Sequence, residues 1–186
     1  MTRTRDDLEI VRPSDVDPQP WANGLGVTRV LVSRPDRRIS IAEIEGRTPF
    51  SSFDGSDRVL VPLGPSGVTL EVGGRRHRVR ALEPFSFRGE DPIVGDAGTR
   101  RTTVVNVMTV RSCARLDAEV VREVDTGLGG VDALVLLGGL PSTEHGALPP
   151  GTVILPGQTS APLPTGRRPV LLLRWTGRRA RTGGSA

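Results

Sequence analysis

Residues 21–29 carry the most distinctive group of polar side chains in this sequence. They read W-A-N-G-L-G-V-T-R, so that Trp21, Asn23, Thr28 and Arg29 surround two glycines just before a strand-like run. Glycine permits tight turns that residues with a Cβ resist, and these polar groups make specific hydrogen bonds. The pattern is typical of a loop that binds a small polar molecule. It also fits a structural loop capped by asparagine.

A second candidate surface begins at residues 38–44, R-I-S-I-A-E-I. Strand alternation places Arg38, Ser40 and Ala42 on one face and Glu43 on the opposite face. A face that is polar at one end and small in the middle is typical of a cavity wall. An exposed face with a routine arginine explains the stretch equally well.

The following segment, residues 48–58, reads T-P-F-S-S-F-D-G-S-D-R. Phe50 and Phe53 flank two serines, Ser51 among them, and this spacing predicts an apolar clamp beside hydroxyl groups. Phe53 fits an ordinary core residue better. Arg58 ends the segment and adds a guanidinium group.

Asn106 lies in the middle of an apolar strand, V-V-N-V-M at 104–108. A buried amide without partners costs about 1–3 kcal/mol, so it must bond to the backbone, to another side chain or to a ligand. A satisfied core asparagine remains the alternative. Together with Asn23, Asn106 is suited to recognise an amide or formyl group, and Trp21 is suited to cover such a pocket as an apolar lid.

The arginines indicate the charge of the ligand. A guanidinium group offers paired donors that match the two oxygens of a carboxylate, and Arg29, Arg38 and Arg58 supply one or two such clamps. Unpaired arginines inside a barrel are costly. A closed pocket should therefore hold an anion, or use Glu43 or Asp57 as a counter-charge.

The elements that must position these residues are strands. Gly 23, Pro 16 and only 3% aromatic residues, with short apolar runs between turn residues, favour many short strands, and no segment shows a helical apolar period. Strands are predicted at 27–32, 38–44, 58–63, 68–72, 77–81, 102–110, 118–124, 132–137, 152–155 and 170–174, with a tight hairpin at Gly73-Gly74. The fold class is all-β, a barrel or a pair of barrels. We expect a motif-bearing half at 1–112, a mainly structural half at 113–176 and a disordered basic tail at 177–186.

Charge and composition argue against several classes of protein. All 25 basic residues are arginine, the net charge is only +4, and the basic clusters lie apart with few aromatics, which disfavours a nucleic-acid binder. The single cysteine, Cys113, the absence of a membrane-spanning run and an N-terminus without a signal-peptide core predict a cytoplasmic protein.

Metal chemistry fits poorly. Only His77 and His145 are present, and two isolated histidines cannot supply a His-rich set of metal ligands. No metal and no other cofactor is expected.

Five motifs occur in the order and approximate spacing of the HutD/Ves family: W-A-N-G-L-G-V-T-R, R-I-S-I-A-E-I, P-F-S-S-F-D-G-S-D-R, P-F-S-F and N-V-M. The sequence resembles this family over residues 10–112 and more loosely to 175. The resemblance implies a cupin-type β-barrel, doubled into a bicupin within one chain. It also implies an association with bacterial histidine utilisation, in which members are thought to bind a small metabolite such as formylglutamate or urocanate and to moderate the pathway.

The resemblance carries a set of pocket residues to this chain: Trp21, Asn23, Thr28, Arg29, Arg38, Ser40, Ser51, Arg58 and Asn106. Two departures bear on the ligand. Val104 and Val105 stand where the family commonly has an acidic residue and an aromatic or apolar one, and Arg37 stands where an aromatic residue often precedes Arg38.

Three functions follow as hypotheses. The favoured one is a metal-free bicupin that binds a small anionic metabolite and acts as a regulator or buffer in histidine breakdown. The second is a metal-independent isomerase or hydrolase in which Arg38 stabilises charge and Glu43 acts as a base, although strand alternation separates the two. The third is a basic adaptor that contacts nucleic acid or protein through arginines at 75–80 and 178–181. No membrane partner is expected, and a homodimer is left open.

Overall fold

The computed structural model describes residues 8–21, 23–122, 130–140, 143, 145–157 and 168–177. Within these residues the protein consists almost entirely of strands, and the single helical element is a short 3-10 turn at Pro13–Asp15. The strands are β1 (Glu9–Val11), β2 (Gln19–Pro20), β3 (Gly26–Arg34), β4 (Arg37–Ile44), β5 (Arg47–Pro49), β6 (Ser56–Pro62), β7 (Val68–Val72), β8 (Arg75–Val79), β9 (Phe85–Arg88), β10 (Ile93–Asp96), β11 (Thr102–Val110), β12 (Ala114–Val121), β13 (Ala133–Leu136), β14 (Val153–Leu155) and β15 (Val170–Gly177).

These strands form three sheets whose pairings are all antiparallel. The central sheet has six strands in the order β2-β3-β4-β11-β6-β9, a second has four in the order β5-β10-β7-β8, and a third has five in the order β1-β14-β13-β15-β12. Strand β11 pairs with β4 on one side and β6 on the other over nearly its whole length. It is therefore the axis of the central sheet.

Both faces of the central sheet are buried, since successive residues of a strand point to opposite sides. One face packs against the five-stranded sheet through Ile39, Ile41, Val59, Val61, Val105 and Val107. The other packs against the four-stranded sheet through Ala42, Ile44, Leu60, Val104 and Phe87. Alternation along β4, β6 and β11 thus divides the apolar residues between two cores.

The all-β prediction is confirmed, and all ten predicted strands are present; residues 123 and 124 lie outside the described part of the chain. The Gly73-Gly74 turn joins β7 to β8, and both glycines have positive φ, 53° and 81°, as a tight hairpin requires. Five strands of at most four residues each were not predicted from the sequence: β1, β2, β5, β9 and β10.

Strands β2 to β11 form the central and four-stranded sheets, whereas β12 to β15 belong to the five-stranded sheet; the division into two halves near residue 112 stays a prediction. Strand β1 belongs to the N-terminal part of the chain but pairs with β14 in the five-stranded sheet. The basic run at 75–80 forms the edge strand β8 and its end. The expected tail lies outside the described residues after Gly177, and so does the cluster at 178–181. In the described part of the chain, no helix has the length and apolar character needed to cross a membrane.

A tight junction fixes the entry to β6. The Phe53 amide donates to the Gly89 carbonyl at 2.8 Å, the Gly89 amide donates to the Ser56 carbonyl at 2.8 Å, and the Ser56 hydroxyl donates to the Phe53 carbonyl at 2.6 Å. A Cβ at position 89 would overlap the Phe53 carbonyl oxygen and the Ser56 hydroxyl. Only glycine lets the two chain segments approach this closely.

We therefore expect Gly89→Ala to lower the free energy of unfolding by about 1–3 kcal/mol, the usual cost of overpacking a close contact. The measurement is urea denaturation followed by circular dichroism. Gly177→Ala is the matched control because a Cβ there meets nothing within 4 Å. An equal effect of the two substitutions would contradict the close-contact explanation.

Candidate functional site

A cleft of about 210 Å³ opens on the face of the central sheet that carries Arg38 and Ser40. Polar and aromatic side chains from β2 to β4, the 50–53 segment, β6 and β11 surround it. Its lining consists of Gln19, Pro20, Trp21, Thr28, Arg38, Ser40, Phe50, Ser51, Phe53, Arg58, Asn106 and Met108.

Strand register brings the polar groups of the floor together. Asn106 on β11 lies opposite Ser40 on β4, and Met108 lies between Arg38 on β4 and Arg58 on β6. Because directly opposed residues of a sheet point to the same side, both arginines face the cleft. Ser40, Arg58 and Asn106 retain only 2%, 4% and 6% of their exposure.

Arg58 is held mainly by aromatic rings. Its guanidinium carbon lies 4.8 Å from the ring centroid of Phe87 and 5.3 Å from that of Phe53, close enough for cation–π attraction. One terminal nitrogen donates to the Ser51 carbonyl at 3.2 Å, and the other lies at 3.5 Å from the Asn106 side-chain oxygen, the limit of a hydrogen bond. Its Nε is buried without a hydrogen-bond partner.

Arg38 shares the Phe53 ring with Arg58, at 5.9 Å from guanidinium carbon to ring centroid. Its Nε is also buried and unpartnered. Among the described residues, neither Arg38 nor Arg58 forms an ion pair with a carboxylate. The cleft thus contains two neighbouring cationic groups whose charge this part of the chain leaves uncompensated.

The two acids considered as counter-charges are engaged elsewhere. Glu43 lies on the opposite face of β4, where it pairs with Arg29 at 2.9 Å and Arg101 at 3.6 Å. Asp57 lies next to Arg58 in sequence but pairs with Arg111 at 2.7 Å. Alternation along the strands therefore separates both carboxylates from the cleft.

Burial affects the protonation of both cleft arginines. Burial, followed by the positive charge of Arg38, lowers the pKa of Arg58 to about 10. Burial also lowers the pKa of Arg38 from its ordinary value. Both shifts mean that the folded protein disfavours the charged form, although both groups remain protonated at neutral pH.

Trp21 and Phe50 border the cleft on its aromatic side. The Trp21 indole N–H donates to the Thr28 hydroxyl at 2.7 Å, and its ring meets Phe50 edge-on with centroids 6.1 Å apart. A Cβ on Gly26 would lie 2.7 Å from the Glu43 carbonyl oxygen and 3.0 Å from the indole ring. The second glycine of the 21–29 segment is thus needed for Trp21 to pack against β3.

Seven of the nine predicted site residues line the cleft: Trp21, Thr28, Arg38, Ser40, Ser51, Arg58 and Asn106. The other two have different contacts. Asn23 lies in an exposed turn where its side-chain oxygen accepts from the Leu25 amide at 3.0 Å, and Arg29 faces the other side of the sheet with Glu43.

Sequence reasoning assigned Phe53 to the core, whereas it lines the cleft and contacts both arginines. Gln19, Pro20 and Met108 were missed altogether. Met108 had a usable signal, because it lies two residues after Asn106 and so shares its strand face. Gln19 and Pro20 reach the cleft through the two-residue strand β2, which leaves no alternating pattern to detect.

A model of the HutD family matches residues 13–139. This chain belongs to the HutD family. It is 34% identical over 107 residues to Protein Ves of Cronobacter sakazakii, an alignment that covers 54% of this chain and 59% of that protein. It is 32% identical over 94 residues to an uncharacterised 21.2 kDa protein of the hutC 3′ region of Pseudomonas putida, covering 46% and 50%. The chain therefore spans about half to 60% of the length of these two relatives.

Two solved structures share the fold. One is a conserved protein of unknown function from Pseudomonas aeruginosa, with a TM-score of 0.74 and 20% identity over 93% of this chain and 100% of that chain. The other is HutD from Pseudomonas fluorescens, with a TM-score of 0.72, 20% identity and the same coverage. The HutD/Ves resemblance predicted from the five motifs is confirmed.

Among the described residues of this HutD-family chain, no three His, Cys, Asp or Glu side chains converge to form a metal site. His77 lies on β8 with its ring 5.1 Å from that of Phe85, and the cleft lining contains neither histidine. Two cationic arginines and several hydroxyl and amide groups converge in the cleft, a combination that can hold a small anion.

Replacing Arg58 with methionine should raise the free energy of unfolding by about 1 kcal/mol or more, because exchanging a buried charge for an apolar side chain of similar length is often stabilising. The cost of the charge is fully present below the folded-state pKa of about 10 and diminishes only as the pH rises from there toward the ordinary pKa of arginine. Denaturation midpoints at pH 7 provide the measurement.

Arg29→Met is the control for this exchange, because Arg29 has an acidic partner in Glu43. Removing the Arg29 charge should leave the free energy of unfolding unchanged or lower it. If Arg58→Met instead destabilises the protein as much as truncation of a core side chain does, the Arg58 charge is already compensated in the ligand-free protein.

Proposed function

We propose that this protein binds a small carboxylate-bearing metabolite in the Arg38–Arg58 cleft, without a metal, and thereby moderates histidine utilisation. The observation that carries the proposal is the pair of buried, unpartnered Nε groups on two arginines that lack a carboxylate partner among the described residues. A carboxylate ligand would accept from both guanidinium groups and remove their mutual repulsion. The family membership and the hutC-region relative from P. putida support the link to histidine breakdown.

The neutral groups of the cleft suit the remainder of such a ligand. Asn106 directs its side-chain oxygen toward Arg58, which leaves its amide N–H groups as donors, and Ser40 lies beside it across the strand pair. An amide or formyl oxygen is the matching acceptor. A cavity of about 210 Å³ is smaller than the roughly 300–1,000 Å³ typical of drug-sized ligands. Formylglutamate and urocanate are thus the first compounds to test.

Binding accounts for the cleft better than turnover. The described lining contains no Asp, Glu, His or Cys, and these side chains supply most general bases. Glu43, the base considered for an isomerase or hydrolase, faces away and is bonded to Arg29 and Arg101. These features support binding over turnover as the function of this cleft.

The same proposal includes a cupin-type barrel doubled into a bicupin. The central and four-stranded sheets enclose the apolar cluster below the cleft, and the five-stranded sheet covers the other face of the central sheet. In this arrangement the unit made of the central and four-stranded sheets binds the ligand, and the unit made of the five-stranded sheet stabilises the first unit.

Titration with formylglutamate, urocanate, histidine and glutamate, followed by thermal shift, tests the proposed function. One acid at about 100 times its dissociation constant should stabilise the protein by about 2.7 kcal/mol. Arg38→Ala and Arg58→Gln should abolish that stabilisation, because each removes one of the two carboxylate donors.

Arg29→Ala serves as the matched control, since it removes an arginine from the opposite face of the same sheet, and it should keep the full shift. Stabilisation that survives Arg38→Ala and Arg58→Gln would locate the ligand elsewhere. No shift with any of the four acids would reject this ligand class. Recovery of the bound acid unchanged, measured by NMR, separates binding from turnover.

A further inference from the structure

Arg111, just beyond the end of β11, is the centre of an ion-pair cluster behind the cleft. Its Nε donates to Asp57 at 2.7 Å, and its two terminal nitrogens donate to Glu90 at 2.8 and 3.0 Å. One of these nitrogens also donates to the Ser56 carbonyl at 2.7 Å. The three neighbours come from the start of β6 and from the turn after β9, so one side chain joins two segments that are distant in sequence.

The backbone around Arg111 reinforces this connection. Its own amide donates to the Gly55 carbonyl at 2.8 Å, and the Gly89 junction described above joins residue 89 to Phe53 and Ser56. The carboxylate of Glu90, followed by that of Asp57, raises the pKa of Arg111 above its ordinary value, so the cation persists at any physiological pH. The contacts that Arg111 and Gly89 make with the β6 side of this region all fall on residues 53–57.

Residues 53–57 determine where the cleft arginines lie. Phe53 begins this segment, and its ring is the aromatic surface shared by Arg38 and Arg58. Arg58 follows Asp57 directly in β6. Because strand neighbours point to opposite faces, fixing the Asp57 carboxylate on Arg111 fixes the rotation of the strand that directs Arg58 into the cleft.

The geometry of the cluster favours an orienting role. The Arg111 and Asp57 side chains retain 26% and 40% of their exposure, and an isolated ion pair this accessible to water contributes little to stability. The bidentate pair with Glu90 and the network with Asp57 add to that contribution, and they also fix the orientation of the groups they join. The cluster is therefore able to fix the geometry of the segments it joins, beyond the stability it adds.

We propose that Arg111 is a positioning residue for the anion cleft, which holds the Phe53–Arg58 segment in register through Asp57, Glu90 and the Ser56 carbonyl. The expected effect on ligand affinity rests on the proposed function, whereas the positioning role itself does not. It assigns a role to a residue that none of the five motifs contains.

The test uses two measurements on the full chain with Arg111→Gln. The first is calorimetric affinity for N-formylglutamate, which should fall about tenfold, equivalent to ~1.4 kcal/mol. The second is fluorescence quenching of Trp21, the only tryptophan left in a Trp175→Phe background. Quenching of Trp21 by iodide, an anion, depends on the positive charge of the cleft. Quenching by neutral acrylamide depends only on how accessible the indole ring is. The ratio of iodide to acrylamide quenching should fall in Arg111→Gln.

Arg174→Gln is the matched control. Arg174 is likewise a partly exposed arginine (35%) between two acids, Asp117 and Glu119, each at 3.7 Å, but it lies in the five-stranded sheet. It should leave both the affinity and the quenching ratio unchanged. Glu90→Gln, which retains the Asp57 and Ser56 contacts, should give a smaller change in the same direction, and it replaces Arg111→Gln if that variant fails to fold.

Affinity and quenching ratio that respond equally to Arg111→Gln and Arg174→Gln would overturn the positioning role. If the unsubstituted protein binds no acid, the proposed function fails, but the quenching comparison still decides whether Arg111 positions the cleft. The two proposals therefore fail separately.

Discussion

Two guanidinium groups lie on the buried face of one sheet with no carboxylate between them among the described residues, and this is the constraint that organises the structure. Arg38 and Arg58 flank Met108 across three adjacent strands, and aromatic rings rather than acids surround them. Burying unpaired charge is costly, so the rest of the fold must hold these groups in place. The long β4–β11–β6 pairing and the junction at Gly89 provide the rigid support.

The acids that would neutralise the pair are diverted by strand geometry. Glu43 is in the same strand as Arg38, and Asp57 is adjacent to Arg58, yet alternation directs each carboxylate to a different partner, Arg29 and Arg111 respectively. The same sheet therefore has a charge-balanced face and a cationic face. Under the proposed function, this arrangement gives up stability for affinity toward an anion, a trade-off that is common at functional sites.

The sequence contained most of this site because alternation is a local rule. It separates Arg38 and Ser40 from Glu43 without any knowledge of the fold. Arg29 was grouped with the cleft arginines through the motif resemblance, although alternation along β3 places it on the face opposite Thr28. The strands β2, β5, β9 and β10 are too short to show an alternating pattern, and only their pairing with other strands defines them. The ion pair between Arg111 and Glu90 joins two segments that only the fold brings together.

The most direct test of the account is to observe the two guanidinium groups while a ligand binds. Arginine Nε–H resonances can be followed by ¹H–¹⁵N NMR and assigned with Arg38→Lys and Arg58→Lys. During titration with formylglutamate or urocanate, the account predicts saturable shifts of both resonances at one common dissociation constant, while the Arg29 resonance stays in place. Binding that moves neither resonance, or that moves Arg29 instead, would contradict the claim that these two arginines form an anion site.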